Sequence, residues 1–590
     1  MVPEILGSLL HHCSKTKGFC YGLSLHAAAI KSGLRDDVVI SNHILNMYAK
    51  CGNINFASQV FNEMSERNLI TWSAMISGYS QDGKHLMAIN LYSQMPLEPN
   101  EFVLASALSS CSNLLALKLG RQIHAQSIKL GCSSISFVSN SLISMYMKNG
   151  QCGDALSVFA RTPNLTDVSY NAIIMGLVES NQREKAFEVY KCMCRQGLLP
   201  DCFTFVGLLG TCNSEDDLGK GMQLHSQTMK LKLDGTAFIG NVIMIMYSNI
   251  NLLDEAEKVF RSIKEKDVIS WNTLIAACSR CDDHSKALRV FREMLEYFDG
   301  RPDEFTYASV LSASAGMGSM QFGRQIHAHI IRTSPSVDIG VGNALVNMYA
   351  KCGCIQYAYT AFRLMTCHNL VSWNSVIAGF ANHGHGKEVI KLFEEMRNVG
   401  LKPDSVTFLG LLIACNHAGL VDEGLDYFNT MNEIYGVTPD IEHFSCLIDL
   451  LGRAGRLKDA EEYMQRYPFG HDPVVLGCLL SACRLHGDVV IGERMAKKLL
   501  QLRPVSTSPY VLLSNLYASD EKWDSVAEAR KMLKGCGLKK EAGHSLIEVK
   551  GSVEKFTIGD FSNSRIEEIM KVLGALGCGW DEETFLLDSA

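Results

Sequence analysis

The chain is poor in charge: Asp, Glu, Lys and Arg make up 20% of its 590 residues against 47% hydrophobic ones, and the net charge is −7. That balance excludes an intrinsically disordered polymer, which combines few apolar groups with high net charge. Long apolar runs are missing too. No stretch approaches the roughly 18 apolar residues that a membrane-spanning helix needs, so the protein is expected to be soluble. The 21 cysteines lack the short framework of a disulfide-stapled domain, and most are expected to be small buried hydrophobes in a reducing compartment. Cys278 and Cys281 form the only Cys-x-x-Cys, and without a second pair at zinc spacing they read as structural residues. Cys192 with Cys194, and Cys352 with Cys354, are too close for a metal knuckle. Acidic residues are absent between Glu4 and Asp36, where Lys15, Lys17, Lys31 and Arg35 stand. Acid-poor, basic sequence suits organelle import, but a first repeat with a basic face reads equally well, and Met1 leads almost directly into repeat-like sequence.

What is present is a long period. Met-Tyr helices recur at 42–52, 140–150, 241–251 and 343–353. A Gly-x-x-[Leu/Ile]-His pattern recurs at Gly22 to His26, Gly120 to His124, Gly221 to His225 and Gly323 to His327. An aromatic-polar pair recurs at Trp72-Ser73, Tyr170-Asn171, Trp271-Asn272 and Trp373-Asn374. Three landmarks moving in step, about a hundred residues apart, define a long unit of three sub-units, and hence a solenoid whose units bury their apolar faces on one another. The histidines, one per long unit, read as packing residues and not as a metal set.

Each sub-unit reads as a helix pair. In the second helices apolar residues fall at i, i+3, i+4 and i+7: Ala57, Val60, Phe61, Met64; Ala186, Val189, Tyr190, Met193; Ala256, Val259, Phe260, Ile263; Ala287, Val290, Phe291, Met294. That spacing makes one buried stripe per helix. Cys51-Gly52, Asp82-Gly83 and Cys352-Gly353 break the chain between helices, where glycine accepts a left-handed cap. Pro99-Asn100, Pro200-Asp201, Pro302-Asp303 and Pro403-Asp404 stand at unit boundaries.

Units 38–68, 167–201 and 304–338 resemble the S, P and L variants of the plant pentatricopeptide repeat, and Met348-Tyr-Ala-Lys-Cys-Gly353 and Leu450-Leu-Gly-Arg-Ala-Gly-Arg456 are phrases specific to that family. The resemblance implies an all-α fold, a right-handed superhelical solenoid of stacked helix-turn-helix repeats, with L, S, P triplets over 3–472 that end in an L-like unit 405–440 and an S-like unit 441–472. A tetratricopeptide array, which would be a protein-interaction scaffold, is the nearest rival; its fixed period near 34 does not fit the short S units.

The family binds single-stranded RNA, one base per repeat. Its reading positions, the fifth residue of a repeat and the last, fall here on Asn42 with Asn68, Ser73 with Asn100, Asn140 with Thr166, Asn171 with Asp201, Asn241 with Asp267, Asn272 with Asp303, Asn343 with Asn369, Asn374 with Asp404, and Ser445 with Asp472. The chemistry is intelligible on its own. Asp only accepts, so it suits the ring N–H of uracil or guanine, whereas an Asn amide donates to cytosine or adenine. A short hydroxyl at the fifth position leaves room for a purine, and Asn favours a pyrimidine. The other reading of each Asn or Ser is a helix cap. Ala105, Val206 and Ala308 occupy the fifth place in L units and offer no hydrogen bond. The implied RNA, read in chain direction from the unit at Val38, is C/U, A, any, pyrimidine, U, any, U, U, any, C/U, U, any, G.

The net charge argues against a generally basic nucleic-acid binder, but not against a solenoid with basic residues along one groove. Beyond 472, helix pairs over 473–540 resemble the family's E region, and Gly543 to Val549 with Phe556 to Asp560 resemble its E+ extension, taken here as 541–590. Ala542, Leu546 and Asn563-Ser564 depart from that extension's usual Pro, Trp and His-Pro. Related proteins continue into a DYW-type zinc deaminase domain, which needs His-x-Glu and Cys-x-x-Cys. No His here is followed two residues later by Glu. The resemblance therefore implies a non-enzymatic specificity factor for C-to-U editing of organelle transcripts, without cofactor or metal, that brings a deaminase-bearing protein in trans through the E region. Neither membrane nor DNA is an expected partner. The mitochondrion is the expected compartment, with the plastid as alternative, and an RNA stabilisation, splicing or translation factor is the alternative function.

Overall fold

A computed structural model describes residues 3–333, 338–502, 507–535, 544–549 and 552–557, with Glu568. The residues of the E+-like stretch at 541–543, 550–551 and 558–590, apart from Glu568, lie outside the described residues, so nothing is placed at Ala542, Gly543 or Asn563-Ser564. By contact the chain divides into two units, 1–273 and 274–590, with the division inside the Val268–Arg280 helix.

The first unit is a run of helix pairs from Pro3–Thr16 with Phe19–Lys31 onwards. Each first helix packs on its own second helix and on the first helix of the next pair, so first helices form one layer and second helices the other. The second unit repeats this arrangement from Glu304–Gly316 with Met320–Thr333 to Ser508–Ser519 with Trp523–Gly535. The apolar stripes read from the sequence lie in the interface: Ala57, Ala186, Ala256 and Ala287 are fully buried, and Phe61, Tyr190, Phe260 and Phe291 nearly so. Gly52, Gly83 and Gly353 between helices have φ near +80°, which a side chain would strain. Among the described residues no helix is long and apolar enough to cross a membrane.

The three landmarks turn out to be halves of inter-repeat contacts. Gly22, Gly120, Gly221 and Gly323 are notches that receive the side chains of Met47, Met145, Met246 and Met348 from the Met-Tyr helices, and a methyl at any of the four would overlap the methionine sulfur. Four residues beyond each glycine, a histidine Nδ1 meets the tyrosine that follows the methionine: His26 to Tyr48, His124 to Tyr146 and His327 to Tyr349 at 2.8 Å, and His225 to Tyr247 at 3.0 Å. Burial lowers the pKa of all four imidazoles, which favours the neutral ring that such a contact uses. The third landmark locks the next boundary. Trp72, Tyr170, Trp271 and Trp373 stand edge-on to Phe61, Phe159, Phe260 and Phe362 of the preceding second helix, with ring centroids 4.8–5.1 Å apart.

Unit lengths trace to the second helices. Those of the short units, such as Ile54–Glu63 and Ile355–Leu364, have 10 residues, and Arg183–Arg195 and Gly386–Asn398 have 13. His85–Gln94 also has 10, which is where the unit 69–100 loses its three residues. Two features were not expected. His544–Val549 and Ser552–Thr557 pair as antiparallel strands, in register from His544 with Thr557 to Val549 with Ser552. Among the described cysteines Cys13, Cys111, Cys212, Cys278, Cys415 and Cys483 are buried, but more are half-buried.

Candidate functional site

The last residue of each unit is the N-cap of the next first helix. Asn68, Thr166, Asp201, Asp303, Asn369 and Asp404 each accept from the backbone N–H three residues on, and the Ser or Thr at that third place bonds back to the cap backbone. Asp267 receives the Ser270 N–H and hydroxyl, both at 2.8 Å. Asn100 and Asp472 cap as well, accepting from Val103 N at 3.0 Å and Val474 N at 2.8 Å. Capping fixes each of these side chains at the mouth of the preceding unit, where the fifth residue points.

Asn171 with Asp201, Asn374 with Asp404, Asn42 with Asn68 and Asn343 with Asn369 are each joined by a donor and an acceptor. Asn171 Nδ2 donates to both oxygens of Asp201 at 2.9 and 3.0 Å, and Asn374 Nδ2 donates to Asp404 Oδ1 at 3.0 Å. Asn42 Nδ2 reaches Asn68 Oδ1 at 3.2 Å and Asn343 Nδ2 reaches Asn369 Oδ1 at 3.4 Å. A carboxylate has about four lone-pair sites. After the cap and the Asn amide are served, Asp201 and Asp404 retain acceptor capacity, while Asn68 and Asn369 present an NH₂. Asn140 with Thr166 and Asn241 with Asp267 make no such bond. Asn272 lies on the Val268–Arg280 helix and Asp303 caps Glu304–Gly316. Ser73 and Asn100 line one cleft of about 590 Å³ with Asn42 and Asn68. The short Ser445 side chain donates back to Glu442 O at 2.9 Å, and Asp472 caps the next helix through Val474 N.

Two sets of residues escaped the sequence reading. The first is the hydroxyl at the third place, Thr71, Thr204 and Thr407, which contacts both members of the preceding pair. The second is an apolar residue at the second place: Val39, Ile70, Phe102, Phe137, Val168, Phe203, Phe238, Ile269, Phe305, Val371, Val406 and Val474 are all 51–68% exposed, when a helix start could as easily have buried them. Val39, Ile70, Phe102 and Phe137 line the same cleft as Asn42, Asn68, Ser73 and Asn100. The rings of Phe102 and Phe137 are 5.6 Å apart, and those of Phe203 and Phe238 are 5.7 Å apart. For Ile70, Val168, Phe203, Ile269, Phe305, Val371 and Val406 the signal was available: an apolar residue directly before the recurring Ser or Thr at unit starts; Val39, Phe102, Phe137, Phe238 and Val474 precede another apolar residue and lack it. Lys50 also lines the cleft, whereas Arg121, beside His124, is engaged with Asp154 at 3.1 Å around a different cavity.

Stacked helix pairs with capped, polar-paired boundaries define the class, an α-solenoid of two-helix repeats. The chain belongs to the pentatricopeptide repeat family. Models of the PPR repeat family match residues 166–213, 266–315 and 368–417, of the PPR repeat 70–98, 137–161, 241–268, 343–370, 406–434 and 442–466, and of the pentatricopeptide repeat domain 25–81. The E motif matches 486–548. Among Arabidopsis thaliana pentatricopeptide repeat-containing proteins, one is 38% identical over 94% of this chain and 56% of its own length. A relative named chloroplastic is 35% identical over 96% of this chain and 65% of its own, and one named mitochondrial is 34% identical over 96% and 75%. The chain thus spans little more than half of the first of these relatives. The fold matches that of the pentatricopeptide repeat protein PPR10, solved in complex with an 18-nt psaJ RNA element, with a TM-score of 0.59 at 18% identity over 90% of this chain and 84% of that one.

Proposed function

We propose that this chain reads single-stranded RNA base by base through its fifth and last residues, and acts as a specificity factor for C-to-U editing of organelle transcripts. The observation that carries the reading is the pair geometry at Asn171 with Asp201 and Asn374 with Asp404: an amide held against a carboxylate that keeps an acceptor free, as the ring N–H of uracil requires. The exposed apolar residues beside the pairs supply faces for bases to stack on, a sequence-tolerant term of about 1–3 kcal/mol per base. The complex of PPR10 with RNA supports the same use of the fold.

The editing assignment rests on the E motif that follows the repeats. In this reading 3–472 holds the RNA, 473–540 is the E region that recruits a deaminase-bearing protein in trans, and 541–590 is an E+-like extension. The chain performs no chemistry itself. Relatives named chloroplastic and mitochondrial support an organelle, and the mitochondrion is the compartment proposed. Two experiments test the reading. Asp201→Asn should shift the preference at its nucleotide from U towards C, since the amide donates where the carboxylate accepted; an unchanged preference refutes the base assignment. Loss of one edited C in organelle transcripts of plants lacking the protein supports the editing role, and full editing with altered transcript ends replaces it with RNA stabilisation.

A further inference from the structure

We propose that the hydroxyl residue at the third place of each following first helix is a positioning residue for the preceding pair, and that the choice between Thr and Ser there sets how sharply that pair discriminates between bases. The inference rests on the base-reading function proposed above and adds to it a residue in the next repeat.

The Asn side chains divide without exception among the pairs whose bonds are resolved. Where the third residue is Thr, its Oγ1 lies 2.7 Å from Asn42 Oδ1 (Thr71), 2.6 Å from Asn171 Oδ1 (Thr204) and 2.7 Å from Asn374 Oδ1 (Thr407). The same oxygen lies 2.9, 3.0 and 2.8 Å from the cap oxygen. A hydroxyl has one proton, and the shorter contact takes it. The amide is then held at both ends, its oxygen by Thr and its nitrogen by the cap residue, and one N–H is left in a fixed direction.

Where the third residue is Ser, the amide oxygen has no donor. Asn140, Asn241 and Asn343 each bury Oδ1 unpartnered, and the residues that follow are Ser169, Ser270 and Ser372. Ser270 and Ser372 still reach their caps, at 2.8 Å to Asp267 Oδ1 and 3.0 Å to Asn369 Oδ1, so it is the second contact alone that is missing. The physical difference is the methyl. A β-branched side chain in a helix has few χ1 choices, and Thr holds its hydroxyl between the two groups, whereas Ser is free to turn to the cap. Burial does not separate the two sets, since Thr71, Thr204, Thr407, Ser169, Ser270 and Ser372 are all fully buried.

The consequence is largest where the cap group can both donate and accept. Beside a carboxylate, an Asn must present its nitrogen in any case. Beside another amide it need not, and the chain contains a matched comparison: Asn42 with Asn68 followed by Thr71, and Asn343 with Asn369 followed by Ser372. The second pair is the longer, 3.4 Å against 3.2 Å. With Oδ1 of Asn343 unanchored, the two amides can exchange donor and acceptor roles, and the edge offered to a base is no longer single.

The test uses the full chain and short RNAs differing only at the nucleotide opposite each of these two units, with affinity measured at fixed salt. The pyrimidine-over-purine ratio should be greater opposite Asn42/Asn68 than opposite Asn343/Asn369. Ser372→Thr should raise the ratio at its own nucleotide about fivefold and leave the nucleotide opposite Asn374/Asp404 unchanged. Thr71→Ser, which only removes a methyl, should lower the ratio opposite Asn42/Asn68 and answers the question if the larger residue is not accommodated. A role confined to folding would weaken binding to every RNA alike and leave these ratios where they were. Clear discrimination in the unaltered chain with ratios unmoved in folded variants overturns this inference alone; equal binding of all bases by the unaltered chain overturns the reading function with it.

Discussion

Replacing Gly323 by Ala tests whether the sequence period is a packing device. The glycine sits within the Met320–Thr333 helix, and an added methyl would overlap the Met348 sulfur. Two terms oppose. Ala is favoured over Gly inside a helix by about 0.5–1 kcal/mol, and overpacking costs about 1–3 kcal/mol. The end of a methionine yields more readily than backbone, so a net loss of roughly 1 kcal/mol is expected. Met348→Ala empties the other side of the same contact and should cost about 2–5 kcal/mol. If the notch is real, the double variant will be more stable than the sum of the single losses by about 1 kcal/mol, because the new methyl fills part of the space vacated. Gly477→Ala is the control: it also lies inside a helix, Pro473–His486, but a methyl there meets nothing within 4 Å and should stabilise. Because repeat arrays unfold piecewise, the readout is amide hydrogen exchange across 320–333 and 339–351 alongside the global melt. Additive losses, or equal effects at Gly323 and Gly477, would refute the interlock.

Other outcomes follow from the same geometry. The four half-buried histidines have pKa values below the ordinary 6.5, so the unfolded chain takes up protons that the folded chain refuses; stability should fall as pH drops below about 6.5 and level off beneath the folded values, and a His327→Gln variant should show a shallower decline in a pH series of melts. Phe203→Ala removes an exposed ring, so RNA affinity should fall by about 1–3 kcal/mol with little change in melting temperature. Asp404→Ala removes a cap and half of a pair at once: a stability loss of about 0.5–2 kcal/mol should accompany loss of preference for U at one nucleotide, checked by melting and by single-nucleotide RNA variants.

The repeat architecture was legible because its landmarks are covalently distant but spatially paired. Gly323 must be small because Met348 enters it, and His327 must follow because Tyr349 waits beside it, so both patterns keep one period. What they paired with was not legible, since neither sequence pattern names its partner. A helix cap was the other reading of the Asn and Ser residues, and the structure gives the cap to the last residues of the units, Asp201 and Asn369 among them, which also meet the fifth residues because a carboxylate or amide has lone pairs to spare. Apolar residues such as Ile70 and Phe203 escaped because an apolar residue in a helix is ordinarily assigned to the core. The strands at 544–549 and 552–557 escaped because short apolar segments there carried a family resemblance and no period.

The most direct measurement is the affinity, at fixed salt, of the purified chain for a short RNA carrying the implied pattern, against one with purines opposite Asn171/Asp201 and Asn241/Asp267. The account predicts at least a tenfold preference for the first, about 1.4 kcal/mol. Equal binding to both would contradict base reading by these pairs, and binding to neither would return the chain to the class of protein-interaction solenoids.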